Sequence, residues 1–270
     1  MSGDLTLARQ VGEIARAAAA AILAIYHSDF AVQTKADASP LTAADLAAQR
    51  VILAGLAALP PTLPVVSEEA HAADWPQRRQ WSRYWLVDPL DGTREFVKRN
   101  GEFTVNIALI EDHCSVLGAV LAPVTGELYV AARGAGAWLQ LQPAAPWQRL
   151  STRPLARPAV LAGSRSHGNL PTATLNALLG ADHQRVAMGS SLKFCLLARG
   201  VADVYLRLGA TSEWDTGAAQ CVLQEAGGAL LDLHGAAFAY NCKESLLNPE
   251  FIAVGDPTVD WVARLRGAGL

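Results

Sequence analysis

Little in this 270-residue chain favours a nucleic acid or a membrane as partner. Lys and Arg number 22 against 25 Asp and Glu, a formal net charge of −3, so no overall basic field exists to draw in polyanions or an anionic lipid surface. The four cysteines, Cys114, Cys195, Cys221 and Cys242, form no CxxC pair. That argues against a zinc site and a disulfide framework, and leaves reduced thiols in a cytosolic setting as the expectation. The six histidines (27, 71, 113, 167, 183 and 234) have no ligand-like spacing. The N-terminus mixes apolar residues with Asp4, Arg9, Glu13 and Arg16, unlike the basic region and unbroken apolar core of a signal peptide. Its apolar run 17–25 is too short to span a bilayer, and no internal repeat is visible.

What is present is core-forming material: 51% of residues are hydrophobic and 17% charged, enough to bury a substantial core in one large domain or two modest ones. Leu7, Val11, Ile14, Ala18, Ile22 and Ile25 recur at helical spacing and predict an amphipathic helix over 4–26. A second helix is expected over 42–59, with Thr42 and Asp45 placed as a capping box and Pro60, Pro61 and Pro64 ending it. Strand patterns follow at 64–67, 84–87, 103–110, 116–121 and 128–132, so this half reads as helices on a mainly antiparallel sheet. Four prolines (143, 146, 154 and 158) interrupt 141–158 and predict a boundary near residue 150, between an α+β part, 1–150, and an α/β part, 151–270. In the second part, strands at 159–162, 185–188, 204–207, 229–231 and 251–254 alternate with helices at 170–179, 191–199, 214–226 and 258–266.

The segment Trp85-Leu86-Val87-Asp88-Pro89-Leu90-Asp91-Gly92-Thr93 carries the chemistry. It ends a strand-forming run by placing two carboxylates around a proline, just before a glycine, which concentrates hard oxygen donors where the chain is expected to turn. Asp88, Asp91 and the Leu90 carbonyl could converge there on one or two cations. Gly92 and Thr93 open a short helix whose free N–H groups favour an anion. An ordinary turn is the competing reading, because Asp, Pro and Gly are turn residues. Glu68 and Glu69 end the preceding strand, where the first could reach the same cluster and where a solvated acidic pair is the plainer account. Asp215, in Ser212-Glu213-Trp214-Asp215-Thr216-Gly217, falls in the first turn of a helix, so capping with Ser212 would explain it without catalysis. Asp45 has the same explanation through Thr42.

In order and spacing, Glu68-Glu69, the Asp88 to Thr93 motif and Trp214-Asp215 resemble the magnesium-dependent, lithium-sensitive phosphatase superfamily that includes inositol monophosphatase and fructose bisphosphatase. The likeness spans nearly the whole chain, from Lys35-Ala36-Asp37-Ala38-Ser39-Pro40-Leu41-Thr42-Ala43-Ala44-Asp45 to Glu244-Ser245-Leu246-Leu247-Asn248-Pro249. Residues 94–109 and Gly189-Ser190-Ser191-Leu192-Lys193-Phe194 look most like the bacterial 3′(2′),5′-bisphosphate nucleotidases of sulfur assimilation. Those enzymes remove the 3′-phosphate of adenosine 3′,5′-bisphosphate, giving AMP and phosphate.

The resemblance implies an α/β fold, a layered αβαβα sandwich. It implies one magnesium on Glu68, Asp88 and the Leu90 carbonyl, a second on Asp88, Asp91 and Asp215, and a part for Glu68 through a third, weaker ion. Thr93 and Asp45 would orient and deprotonate the attacking water. Substrate contacts would come from Glu68, Leu90, Asp91, Gly92, Thr93 and Asp215, with Ser190, Ser191 and Lys193 touching the nucleoside and its 5′-phosphate; a plain helix N-cap is the alternative for that turn. Lithium is the expected inhibitor and a small nucleotide bisphosphate the expected partner. The expected setting is cytoplasmic, as monomer or homodimer; some relatives lie peripherally on the inner membrane, but no basic amphipathic anchor is present here. Ala210 departs from the family, in which a proline is expected, and this bears on loop stiffness more than on chemistry. Two other readings stand: an inositol or sugar monophosphatase with the same metal core, and a non-catalytic metal- or nucleotide-binding protein.

Overall fold

The structure is a computed structural model that describes residues 4–29, 31–34, 40–70, 73–165 and 171–270. Residues 35–39 of the Lys35 to Asp45 segment, His71, His167 and the expected helix start at 170 lie outside the described residues.

The first half runs α1 (Leu5–Tyr26), β1 (Val32–Thr34), β2 (Pro40–Thr42), α2 (Ala43–Ala57), β3 (Val65–Ser67), α3 (Trp75–Arg78), β4 (Arg83–Asp91) and α4 (Thr93–Val97). It continues with β5 (Thr104–Glu111), β6 (Cys114–Leu121), β7 (Leu128–Ala132), β8 (Gly136–Gln140) and β9 (Gln148–Arg149). The second half runs β10 (Val160–Ser164), α5 (Thr172–Leu179), β11 (Gln184–Met188), α6 (Leu192–Ala198), β12 (Val204–Arg207), α7 (Glu213–Glu225), β13 (Ala229–Asp232), β14 (Phe251–Val254) and α8 (Trp261–Gly267). Strands β3 to β9 form one seven-stranded sheet in sequence order, antiparallel except for the parallel β3–β4 pair. A five-stranded mixed sheet has the order β11-β10-β12-β14-β13, and β1 and β2 make a separate hairpin.

Strand periodicity sorts the large sheet into two faces. Trp85, Val87, Ile107, Leu109, Leu117 and Ala119 pack with α1 and α2; Leu86, Ala108, Ile110 and Val120 face the other way, against α6 and α7. Those two helices also meet Tyr205 and Phe251 of the second sheet, whose far face packs on α5 and α8. The result is the αβαβα sandwich. The middle core cluster draws on both sides of residue 150.

Small residues set the layer spacing. The Asp4 carboxylate caps α1 by accepting from the Leu7 N–H at 3.0 Å, and the buried Ala8, Ala15, Ala18 and Ala19 let its inner face lie close on its neighbours. Gly118 of β6 lets α7 approach so closely that a Cβ there would stand 2.1 Å from the Ala218 carbonyl oxygen. Among the described residues no helix is long and apolar enough to cross a membrane.

Several expected bounds shift. The strand expected at 84–87 extends to Asp91, so the carboxylate pair lies within β4, across a register shift between Asp88 and Asp91; a bulge, rather than a simple turn, aims both side chains. The last helix begins at Trp261, because Asp260 caps it through the Ala263 N–H at 2.9 Å. The β1–β2 hairpin, α3, β8 and β9 were not expected; the two-residue, exposed β9 offers no alternation to read.

Candidate active site

Three elements bring the acidic residues together. The bulged end of β4 presents Asp88 and Asp91, the first turn of α7 presents Asp215, and one carboxylate oxygen from each lies within 4.8 Å of the others. In each, one oxygen is held by a main-chain donor. Asp88 Oδ1 accepts from the Leu90 N–H at 3.0 Å, Asp91 Oδ2 from the Ser191 N–H at 2.6 Å, and Asp215 Oδ2 from the Ser212 N–H at 2.9 Å. The innocent reading of Asp215 as a capping residue is therefore correct, and the cap is also what fixes its carboxylate beside the cluster.

Asp88 is buried, and desolvation, reinforced by Glu68, Asp91 and Asp215, pushes its carboxyl well above the ordinary range. Asp215 is raised too, first by desolvation and then by Asp91. Among the described residues no lysine or arginine forms an ion pair with these three. Glu68 lies within hydrogen-bonding reach of Asp88, positioned because its N–H continues the β3–β4 ladder to the Val87 carbonyl at 3.2 Å. An all-oxygen set of crowded, partly buried carboxylates fits a hard divalent cation, which would supply the missing positive charge.

Beside this cluster, Gly92 takes φ of 94° at the start of α4, a conformation that favours glycine. The Thr93 hydroxyl stands 3.2 Å from Asp45 Oδ1 and 3.3 Å from the Leu90 carbonyl. Asp45 Oδ2 accepts from Thr42, at 2.8 Å from the backbone N–H and 2.7 Å from the hydroxyl. Asp45 thus caps α2 with one oxygen and meets Thr93 with the other.

On the opposite side the Gly189-Ser190-Ser191 turn divides its two serines. Ser190, at φ of 46°, lines a cleft of about 520 Å³ together with Glu68, Asp91, Thr93 and Asp215. Ser191 is 2% exposed, and its polar groups go to the acidic cluster: N–H and hydroxyl to Asp91 Oδ2, with the Asp215 carbonyl 2.9 Å from the same hydroxyl. Lys193 is buried at the cleft wall, its ammonium on the Ser190 carbonyl at 2.6 Å and 4.9 Å from the Tyr205 ring centroid. Burial lowers its pKa to about 8.

Three further residues brace or line the site. Arg207, on β12, lines the cleft beside Lys193 and donates to the Ala210 carbonyl at 2.9 Å. Asn106, opposite Asp88 in the β4–β5 register, donates to Ser191 Oγ at 2.9 Å. Glu102 accepts from the Gly189 N–H at 2.8 Å and pairs bidentately with Arg165, tying the serine turn to the β4–β5 connection. Glu102 and Asn106 fall within the 94–109 stretch that carries the family resemblance, but what each of the three touches follows from the register and the packing of the two sheets.

The layered αβαβα sandwich, with a carboxylate cluster that could hold a cation, is that of a class of phosphatases, and the chain belongs to the inositol monophosphatase family, whose model matches residues 4–257. Within it, the chain is 48% identical over 244 residues to the 3′(2′),5′-bisphosphate nucleotidase CysQ of Salmonella typhimurium, spanning 90% of this chain and 97% of that one. Its counterpart in Escherichia coli K12 is 47% identical over the same length. Among solved structures, CysQ from Bacteroides thetaiotaomicron superposes with a TM-score of 0.80 at 38% identity, covering 93% of this chain and 97% of that chain.

Proposed function

We propose that this chain is a magnesium-dependent phosphatase that hydrolyses the 3′-phosphate of adenosine 3′,5′-bisphosphate to AMP and phosphate. The observation that carries this reading is the division of one cleft into an acidic end, lined by Glu68, Asp91 and Asp215 with the buried Asp88 behind them, and a basic wall, Lys193 and Arg207. A bisphosphate uses both: one phosphate through cations, the other through the lysine and arginine. A simple monophosphate would leave the basic wall without an anion to bind. The full-length similarity to proteins named as bisphosphate nucleotidases supports the same substrate class.

Glu68, Asp88 and the Leu90 carbonyl would hold one magnesium, and Asp88, Asp91 and Asp215 a second, with a third, weaker ion near Glu68. When bound, the ions supply charge stabilisation of the phosphoryl oxygens and a water of lowered pKa. The remaining work belongs to the chain. With its hydroxyl donated to Asp45 Oδ1, the Thr93 oxygen accepts a hydrogen bond from the attacking water and passes the proton to Asp45. The N–H groups of Gly92 and Thr93 meet the phosphoryl oxygens at the start of α4. Ser190 and Lys193 contact the 5′-phosphate. No protein nucleophile is needed.

Phosphate release from adenosine 3′,5′-bisphosphate, compared with release from inositol 1-phosphate, tests the reading. The bisphosphate is hydrolysed with the higher kcat/KM, chelation abolishes turnover, and lithium inhibits by competing for a magnesium position. A preference for the inositol ester replaces the reading with an inositol monophosphatase; turnover that survives chelation removes the metal from it.

A further inference from the structure

Residues 240–248 cross the start of α7 and add an apolar wall to the cleft. Leu246 and Leu247, adjacent in an extended segment, face opposite ways. Leu246 packs on the middle core cluster, while Leu247 is 51% exposed and lines the cleft with Trp214 and Thr211. Among the exposed large hydrophobic side chains of the described residues it is the most exposed. A lone surface leucine needs no account, but this one is held rigidly. Its backbone bridges to Ser212, the Leu246 carbonyl accepts from the Glu213 N–H at 2.8 Å, and the Asn248 side chain donates to the Ser212 carbonyl at 2.6 Å.

The far end of this strap is pinned from outside the cleft. Arg78 of α3 is 2% exposed, donates to Asn241 Oδ1 at 2.5 Å and to the carbonyls of Lys243 and Glu244, and receives the Asn241 amide on its own carbonyl at 2.6 Å. The Asn241 N–H in turn donates to the Glu213 carboxylate, 3.0 and 2.9 Å from its two oxygens. One buried network therefore sets both the strap and the helix start that carries Trp214 and Asp215.

We infer that Leu247 is the specificity-determining residue for an aromatic base in the leaving group, and that Arg78 is a positioning residue that sets it. The inference rests on the nucleotidase reading and adds the part of the substrate which that reading leaves unplaced. An apolar wall beside the acidic end meets whatever leaves with the hydrolysed oxygen. The flat face of a base buries itself there, whereas the hydroxyls of inositol or a bare polyol would lose water without gaining partners.

The test compares kcat/KM for adenosine 3′,5′-bisphosphate with kcat/KM for glycerol 2-phosphate, which has no base. Leu247→Asn, a change at an exposed side chain, lowers the ratio about tenfold, the loss appearing in KM for the nucleotide. Arg78→Lys, which keeps the charge but not the fork across Asn241 and two carbonyls, lowers the ratio in the same direction by a smaller factor. An unchanged ratio in Leu247→Asn, or an equal loss on both substrates, overturns the assignment of Leu247. An unchanged ratio in Arg78→Lys removes Arg78 from it. Calorimetric binding of AMP gives a second readout without turnover: Leu247→Asn weakens it about tenfold, and equal affinity overturns the inference. Failure of the wild-type chain to hydrolyse the bisphosphate counts against the nucleotidase reading and leaves the AMP comparison to decide Leu247.

Discussion

Ser191 donates both its backbone N–H, at 2.6 Å, and its hydroxyl, at 2.7 Å, to the same oxygen of Asp91, one hundred residues away in sequence. With two donors on one oxygen, the Asp91 carboxylate is held in one orientation beside the acidic cluster. Groups that orient metal-binding carboxylates typically affect metal affinity by ten to a hundredfold. Ser191→Ala keeps the N–H and loses the hydroxyl, so magnesium or manganese affinity, titrated calorimetrically without substrate, falls by about tenfold. The stability of the metal-free protein falls by only about 1 kcal/mol. Unchanged metal affinity would remove Ser191 from this role.

Asp88→Asn makes an opposite pair of changes. Burial and the neighbouring carboxylates raise the Asp88 carboxyl above its ordinary value. A raised carboxyl contributes stability below its unfolded-state pKa, and this is lost as pH rises through the folded value. The metal-free wild-type protein therefore loses thermal stability from acid toward neutral pH, and Asp88→Asn loses less, so the variant is the more stable of the two when both are stripped of metal at neutral pH. Added magnesium raises the wild-type Tm by mass action and moves the variant little. Calorimetric scans with and without chelator check both halves, and a less stable metal-free variant at neutral pH would contradict the account of the cluster.

The acidic cluster was legible because its parts sit at element ends that the sequence marks: the apolar run into Asp88, the capping patterns Thr42/Asp45 and Ser212/Asp215, and the glycine at 92. Each cap has a local account, and the structure shows the cap and the cluster to be the same geometry seen from two sides. The bulge at Asp88 to Asp91 was not legible, since alternation in the run through Val87 says nothing of a register shift against β5. Ser191 carried an N-cap signal, but its partner lies in the other half of the chain. Arg207 carried no signal, and Asn106 and Leu247 only that of the family-like segments around them; what each of them touches follows from how α7 fits between two sheets. Strand β8 begins at a glycine and is followed by proline-interrupted chain, so its pairing with β7 outweighs a weak local pattern.

Lys193 predicts the alkaline limb of the pH profile. Burial lowers its pKa from the ordinary lysine range to about 8. Being depressed, it contributes stability present above the unfolded value and lost as pH falls through the folded value, so the ammonium is a cost to folding at neutral pH, retained where an anion is to be bound. kcat/KM reports the free enzyme. For the bisphosphate it therefore declines above about pH 8, Lys193→Arg moves that decline beyond pH 10, and Lys193→Met has low kcat/KM throughout with raised thermal stability at pH 7. A limb that stays near pH 8 in Lys193→Arg would assign the titration to another group.

Gly118 tests how closely the middle helix must lie on the large sheet. A methyl group at this position would stand 2.1 Å from the Ala218 carbonyl oxygen and 3.1 Å from its Cα, both backbone atoms that no rotamer change can move. Relief requires α7 to shift away from β6. The helix begins two residues before Asp215, and its other contacts with the large sheet are close too, because a Cβ on Gly217 would stand 2.8 Å from Leu86. Overpacking of this kind costs about 3 kcal/mol or more when backbone must move, so Gly118→Ala lowers Tm by roughly 6 to 12 °C at this chain length. Displacing α7 also moves Asp215 relative to Asp88 and Asp91, which belong to the sheet. The variant that still folds at low temperature therefore binds magnesium more weakly than the wild type, in proportion to the shift. A Gly118→Ala protein with wild-type Tm would show that α7 has room the present geometry denies it.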